Sequence, residues 1–317
     1  MTATIGSEQF TYEARTDWHH LPDGMTLHET PGVAVDAADN IYALTRNTAN
    51  PVLVFDRDGN FLRTFGQRIF SDRTHAIAIG PDGMVYCTDD GTHTITKFTP
   101  EGELLLTIGT PGRPAPRWSG EPFCRPTQAA ISRHTGHIFI SDGYANARVH
   151  KFAPDGTHVL SWGEPGIDAG QFMVPHNIAI DAEDRLYVAD REAHRVQVFD
   201  ADGNFLAMWN NVHRPCGLTV GPDGNIYIGE LNGVGLVQDC PGYGHRISIY
   251  QPDGTLLARY GDPEEGEQPG QFIAPHGIAV DSHGDVYVGE VSFTIRGRSL
   301  DPPREMKSLS KLRRVSA

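Results

Sequence analysis

The chain has 317 residues, with 40 Asp plus Glu against 26 Lys plus Arg and a formal net charge of −14. That acidity argues against nucleic acid or an anionic membrane as partner, and no run approaches the ~18 apolar residues that a membrane span needs. The 35 glycines and 22 prolines sit at regular turns, as in turn-rich all-β architecture, and four cysteines are too few for a disulfide framework.

Residues 1–21 show no basic stretch followed by an apolar run, so no secretory leader is expected and the location reads as cytoplasmic. From Pro31 onward one phrase recurs: a residue pair, three or four apolar positions, then an acid, Gly or turn. It begins at Pro31-Gly32, Thr74-His75, Pro126-Thr127, Pro175-His176, Pro215-Cys216 and Pro275-His276. The copies stand 43, 52, 49, 40 and 60 residues apart, which is propeller or solenoid spacing. Each copy leads through a turn such as Pro81-Asp82-Gly83 into a second strand-like run, as in Val85-Tyr86-Cys87-Thr88 or Leu186-Tyr187-Val188-Ala189. A third run follows, as in Arg195-Val196-Gln197-Val198-Phe199, and an Asp-Gly or Glu-Gly turn precedes a fourth. Six units of four antiparallel strands predict an all-β, six-bladed β-propeller filling residues 1–317 as one domain.

Two interruptions follow second strands, at residues 231–245 and 291–307, and are read as loops on the face where the innermost strands begin. After Glu290 the only strand-like run is Lys311–Val315, a third strand for blade six. Its fourth is missing, and Phe10–Trp18 resembles the outermost strands elsewhere. The N-terminus, residues 1–20, is therefore expected to close the ring and cover the sheet edges.

The second position of the phrase is Gly, His, Thr, His, Cys, His in order. Alternate blades of a sixfold ring lie a third of a turn apart, so His75, His176 and His276 should point at the axis from three directions. Three imidazoles with an open fourth position is the pattern of a catalytic zinc site, and iron or manganese is an alternative occupant. The other twelve histidines are read as surface or structural residues, and Cys216 as a channel-lining or a small buried residue.

The repeat resembles the NHL family. More narrowly, Phe123-Cys124-Arg125-Pro126-Thr127, Ile140-Ser141-Asp142-Gly143-Tyr144, Trp162-Gly163-Glu164, Val174-Pro175-His176 and Ala189-Asp190-Arg191-Glu192 resemble peptidyl-α-hydroxyglycine α-amidating lyases. The resemblance implies a propeller that holds zinc through His75, His176 and His276. It also implies Tyr144 acting on the substrate hydroxyl, with Arg46 and Arg191 as further active-site residues. The family cysteine after the tyrosine is Ala145 here, so Cys124 should be a free thiol. The family acid after the last histidine is Gly277, so the structural calcium does not carry over, and Ala274 replaces a pocket methionine.

The residue types suit cleavage of an N-acyl α-hydroxyglycine, a hemiaminal, to an amide and glyoxylate. A metal acidifies the hydroxyl, Tyr144 moves its proton, and Arg46 and Arg191 hold a carboxylate by paired hydrogen bonds. The expected substrate is a carboxylate-bearing small molecule or short peptide. A different metal-dependent lyase or hydrolase on the same histidines, or a non-catalytic NHL binding scaffold, are the alternatives. Oligomeric state has no signature in the sequence.

Overall fold

The computed structural model describes residues 2–237, 240 and 242–315. Six antiparallel sheets, five of them built from four consecutive strands and the sixth joining the two ends of the chain, form a six-bladed β-propeller. Residues Phe65–Pro215 make one compact unit, and the residues up to Thr64 with those from Cys216 onward make another. Among the described residues no helix is long and apolar enough to cross a membrane.

The unit Phe65–Pro215 carries blades two, three and four. Blade two is Thr74–Ile79, Val85–Asp89, Thr94–Phe98 and Leu104–Ile108. Blade three is Gln128–Ile131, Ile138–Asp142, Arg148–Phe152 and His158–Trp162. Blade four is Pro175–Ile180, Leu186–Asp190, Arg195–Phe199 and Phe205–Trp209. Second strands are wholly buried while fourth strands are mostly exposed or half-buried, so burial falls outward along each blade. Between blades three and four, Phe139, Val149, Phe172, Ile178, Val188 and Phe199 form one buried cluster.

The other unit carries blade one (Gly32–Val35, Ile41–Leu44, Val52–Phe55, Phe61–Phe65), blade five (Pro215–Val220, Ile226–Glu230, Arg246–Tyr250, Leu256–Tyr260) and blade six. Blade six is Pro275–Val280, Val286–Glu290 and Leu309–Arg314, completed by Phe10–Arg15, with Thr2–Ser7 as an additional outermost strand. Tyr12 pairs with Arg314 and Ala14 with Leu312, so the N-terminal segment does close the last blade. The closing strand ends at Arg15 rather than Trp18, and the fifth strand is not foreshadowed in the repeat. Of the 231–245 loop, residues 238, 239 and 241 lie outside the described residues, as do residues 1, 316 and 317. The 291–307 loop contains a short helix, Ser292–Ile295, and a 3-10 turn, Gly297–Ser299.

Two recurring side-chain devices explain why the repeats fold alike. At the first hairpin of five blades, a turn acid accepts a hydrogen bond from the tyrosine of the second strand. The pairs are Asp36–Tyr42 (3.2 Å), Asp82–Tyr86 (3.3 Å), Asp181–Tyr187 (2.9 Å), Asp223–Tyr227 (2.9 Å) and Asp281–Tyr287 (3.1 Å). These acids also cap the turn amides, as Asp36 does for Ala38 and Asn40. The second device is a fully buried acid at the end of the second strand, which fastens the backbone leading into the innermost strand. Asp89 accepts from the Ser71 amide (2.6 Å), Asp142 from Cys124 (2.8 Å), Asp190 from Met173 and Val174 (2.9 Å each), and Glu290 from Ile273 (2.6 Å) and Ala274 (3.0 Å). A buried carboxylate that accepts several amides is stable only with those partners in place, so each acid sets where the next strand begins.

Candidate metal centre

Blades two, four and six share a feature that blades one and three lack. Pairing of the innermost strand with its neighbour slips between Thr74 and Ala76, between Pro175 and Ile178, and between Pro275 and Gly277. Gly32–Val35 and Gln128–Ile131 pair without a slip. A bulge re-aims a side chain out of the regular alternation. Here it falls on each histidine of the phrase.

In the unit Phe65–Pro215, the Nδ1 of His75 donates to the Thr127 carbonyl at 2.6 Å. This commits the ring proton to Nδ1 and leaves the Nε2 lone pair for a ligand. The Tyr144 hydroxyl lies 3.0 Å from His75 Nε2 and 3.0 Å from His176 Nε2, and the two imidazole centroids are 4.7 Å apart. Both histidines are fully buried, whereas Tyr144 is half-buried. Tyr144 leaves the buried end of its strand just after Asp142, which also accepts from Asn146 (2.8 Å) and His150 (3.2 Å). Arg191 approaches the Tyr144 oxygen at 3.4 Å and pairs with Glu192 at 2.7 Å; Glu192 in turn takes Arg214 at 2.9 Å. Those two guanidiniums hold the Glu192 carboxyl below its ordinary range against the opposing effect of burial.

In the other unit, the Nδ1 of His276 donates to the Pro31 carbonyl at 2.7 Å, the counterpart of the His75 arrangement. Arg46 forms a buried ion pair with Glu29 at 2.6 Å and donates to Thr294 at 2.9 Å. Glu29 also accepts from the Thr294 amide (2.7 Å) and hydroxyl (2.6 Å), so the 291–307 loop is tied to Arg46. Cys216 is fully buried among Leu231, Ile273, Ala274 and Val291, the small buried residue of the two expectations. All four cysteines, Cys124 included, are free thiols.

His75, His176 and His276 each offer one ring nitrogen, and these atoms all lie within 4.8 Å of one another. Imidazole nitrogens, with the Nδ1 of His75 and His276 committed to backbone carbonyls, are a donor set suited to a borderline-soft divalent ion. The three buried histidines can hold a metal ion.

The site therefore defines a class: six-bladed propellers with a three-histidine centre beside a phenol. Residues 172–199 match the NHL repeat. NHL repeat-containing protein 3 of Homo sapiens is 31% identical over 242 residues, covering 71% of this chain and 69% of that protein. The chain belongs to the NHL repeat family. Peptidyl-alpha-hydroxyglycine alpha-amidating lyase 1 of Drosophila melanogaster is 31% identical over 268 residues, 77% of this chain and 48% of that protein. Peptidylglycine alpha-amidating monooxygenase of Rattus norvegicus is 30% identical over 352 residues, 96% of this chain, which spans only 34% of that protein's length. The streptogramin B lyase structure superposes with a TM-score of 0.63 at 15% identity, over 96% of this chain and 99% of that one, a likeness of fold alone.

Sequence reasoning missed Glu29 and Thr294, which anchor Arg46, and the two carbonyls that orient the histidine rings. It also passed over Arg125 as a site residue, although the motif Phe123–Thr127 contains it. The signal for Arg125 was a basic residue just before Pro126, whose backbone geometry a sequence does not reveal.

Proposed function

We propose that the chain cleaves the C–N bond of an N-acyl α-hydroxyglycine, releasing a primary amide and glyoxylate, with a divalent ion held by His75, His176 and His276. The observation that carries this reading is the Tyr144 hydroxyl, 3.0 Å from the Nε2 atoms of two of the three histidines. When bound, zinc, or iron or manganese in its place, supplies Lewis acidity that favours ionisation of an alcohol. Tyr144 takes the proton of the substrate hydroxyl as the carbonyl of glyoxylate forms. The C–N electron pair leaves with nitrogen, which receives that proton from Tyr144. Two guanidiniums lie against the Tyr144 ring, Arg191 at 5.4 Å and Arg125 at 4.6 Å from its centroid, and they stabilise negative charge on its oxygen. Arg46 and Arg191 are proposed to hold the carboxylate of the substrate, a small molecule or short peptide. The free thiols support a reducing, cytoplasmic setting.

The test is to incubate the metal-loaded chain with α-hydroxyhippurate and detect glyoxylate, with a chelated sample beside it. Glyoxylate that disappears on chelation supports the reading. Stoichiometric metal without glyoxylate points to a different reaction on the same histidines, and no bound metal points to a binding scaffold.

A further inference from the structure

Arg125 sits on the loop entering blade three, held by unusual means. Its backbone is left-handed (φ 69°), a conformation rarely taken by a side chain of this size. Its amide donates to His93 Nδ1 at 3.1 Å, and the preceding Cys124 amide is fastened by buried Asp142 at 2.8 Å. This strained, pinned backbone lays the guanidinium over the face of Tyr144, 4.6 Å from the ring centroid. One nitrogen, Nη2, donates to Asp90 at 2.6 Å. Asp90 is fully buried and already satisfied on both oxygens by Arg73, at 2.8 Å each. The Arg125 side chain nonetheless keeps 36% of its surface exposed. Arg191, by contrast, is only 14% exposed and already pairs with Glu192 and the phenol.

Two guanidiniums, Arg125 and Arg191, therefore lie against the Tyr144 ring, and of the two Arg125 has the more exposed side chain. We propose that Arg125 is a further specificity-determining residue of this site, meeting the substrate carboxylate, alongside Arg46 and Arg191, with the guanidinium edge not used by Asp90. The proposal rests on Tyr144 facing the substrate, as the lyase reading has it, but its test does not require turnover.

Binding of hippurate, and of hippuramide, which lacks the carboxylate, is measured by calorimetry on the metal-loaded full-length chain. Wild type should bind hippurate more tightly than hippuramide. Arg125→Met should weaken hippurate about tenfold to a hundredfold, the loss of a charged hydrogen-bonding partner, and leave hippuramide unchanged. Arg125→Lys should fall between, because it keeps the charge without the planar fork. Equal binding of the two ligands by wild type, or wild-type hippurate affinity in both Arg125 variants, overturns the proposal. So does a matching loss of both ligands in Arg125→Lys, which would mark a structural role only. Intact discrimination by Arg125 in a chain that releases no glyoxylate from α-hydroxyhippurate sinks the lyase chemistry and leaves the carboxylate site standing.

Discussion

Removal of residues 1–15 takes away the strand that completes blade six, and its cost can be worked from the side chains lost. Phe10 is 3% exposed and Tyr12 fully buried, both packed against Tyr227, Ile247, Tyr260, Phe272 and Leu312. Deleting a buried aromatic side chain costs about 3–5 kcal/mol, so the pair represents about 6–10 kcal/mol. That is comparable to the whole stability of an ordinary domain, about 5–15 kcal/mol. With an unfolding entropy near 2.1 cal/mol/K per residue, each kcal/mol lowers Tm by about 1.5 °C here, so the truncation should melt about 9–15 °C lower. Removal of residues 1–7 is the control. Thr2–Ser7 alternates between exposed and half-buried positions, with Ile5 only leaning on the cluster, so about 1–2 kcal/mol and a drop of a few degrees is expected. Calorimetry on the intact chain and both truncations decides the matter. If the 1–15 deletion melts with the intact chain, Phe10–Arg15 contributes nothing to closure and the packing argument fails.

Three further outcomes follow from the site and its surroundings. Tyr144→Phe should lower kcat by about a hundredfold to ten-thousandfold, the range of a lost proton-transfer group, while metal content stays stoichiometric by elemental analysis. His176→Ala should lose both metal and turnover, and full metal occupancy in this variant would remove His176 from the ligand set. The third concerns pH: burial lowers His19 from its ordinary 6.5 to about 4, and its Nδ1 has no hydrogen-bond partner. The unfolded chain thus binds this proton at higher pH than the folded one, so stability falls as pH drops from about 6.5 to 4, by roughly 3 kcal/mol at most. A Tm–pH profile of His19→Phe should be flatter than wild type through that window; superimposable profiles would remove His19 from the account.

Much of the architecture is visible in the chain because each blade is specified locally. A turn acid and the tyrosine four or six residues after it close the first hairpin of five blades, and the apolar run before the turn marks the innermost strand. The alternation of histidine at positions 75, 176 and 276 is equally visible, since repeats can be aligned without knowing their three-dimensional order. Tyr144 and Arg191 were legible through their motifs, and the structure brings them together with His75 and His176. Arg46 was legible as a basic residue, but its ion pair with Glu29 and its bond to Thr294 join positions 17 and 248 residues away.

Periodicity along the chain thus determined the number of blades, the strands within each and the positions that carry imidazole. Tertiary structure alone decided the bulges that turn those imidazoles out of the sheet and the carbonyls of Thr127 and Pro31 that choose their tautomer. It also decided the placement of Arg125 over Tyr144 and the packing of Phe10 and Tyr12 against the last blade. The division has a physical cause. Strand and turn preferences act over a few residues and repeat with the sequence, whereas a hydrogen bond to the neighbouring blade depends on groups tens to hundreds of residues distant that meet only after each blade has formed.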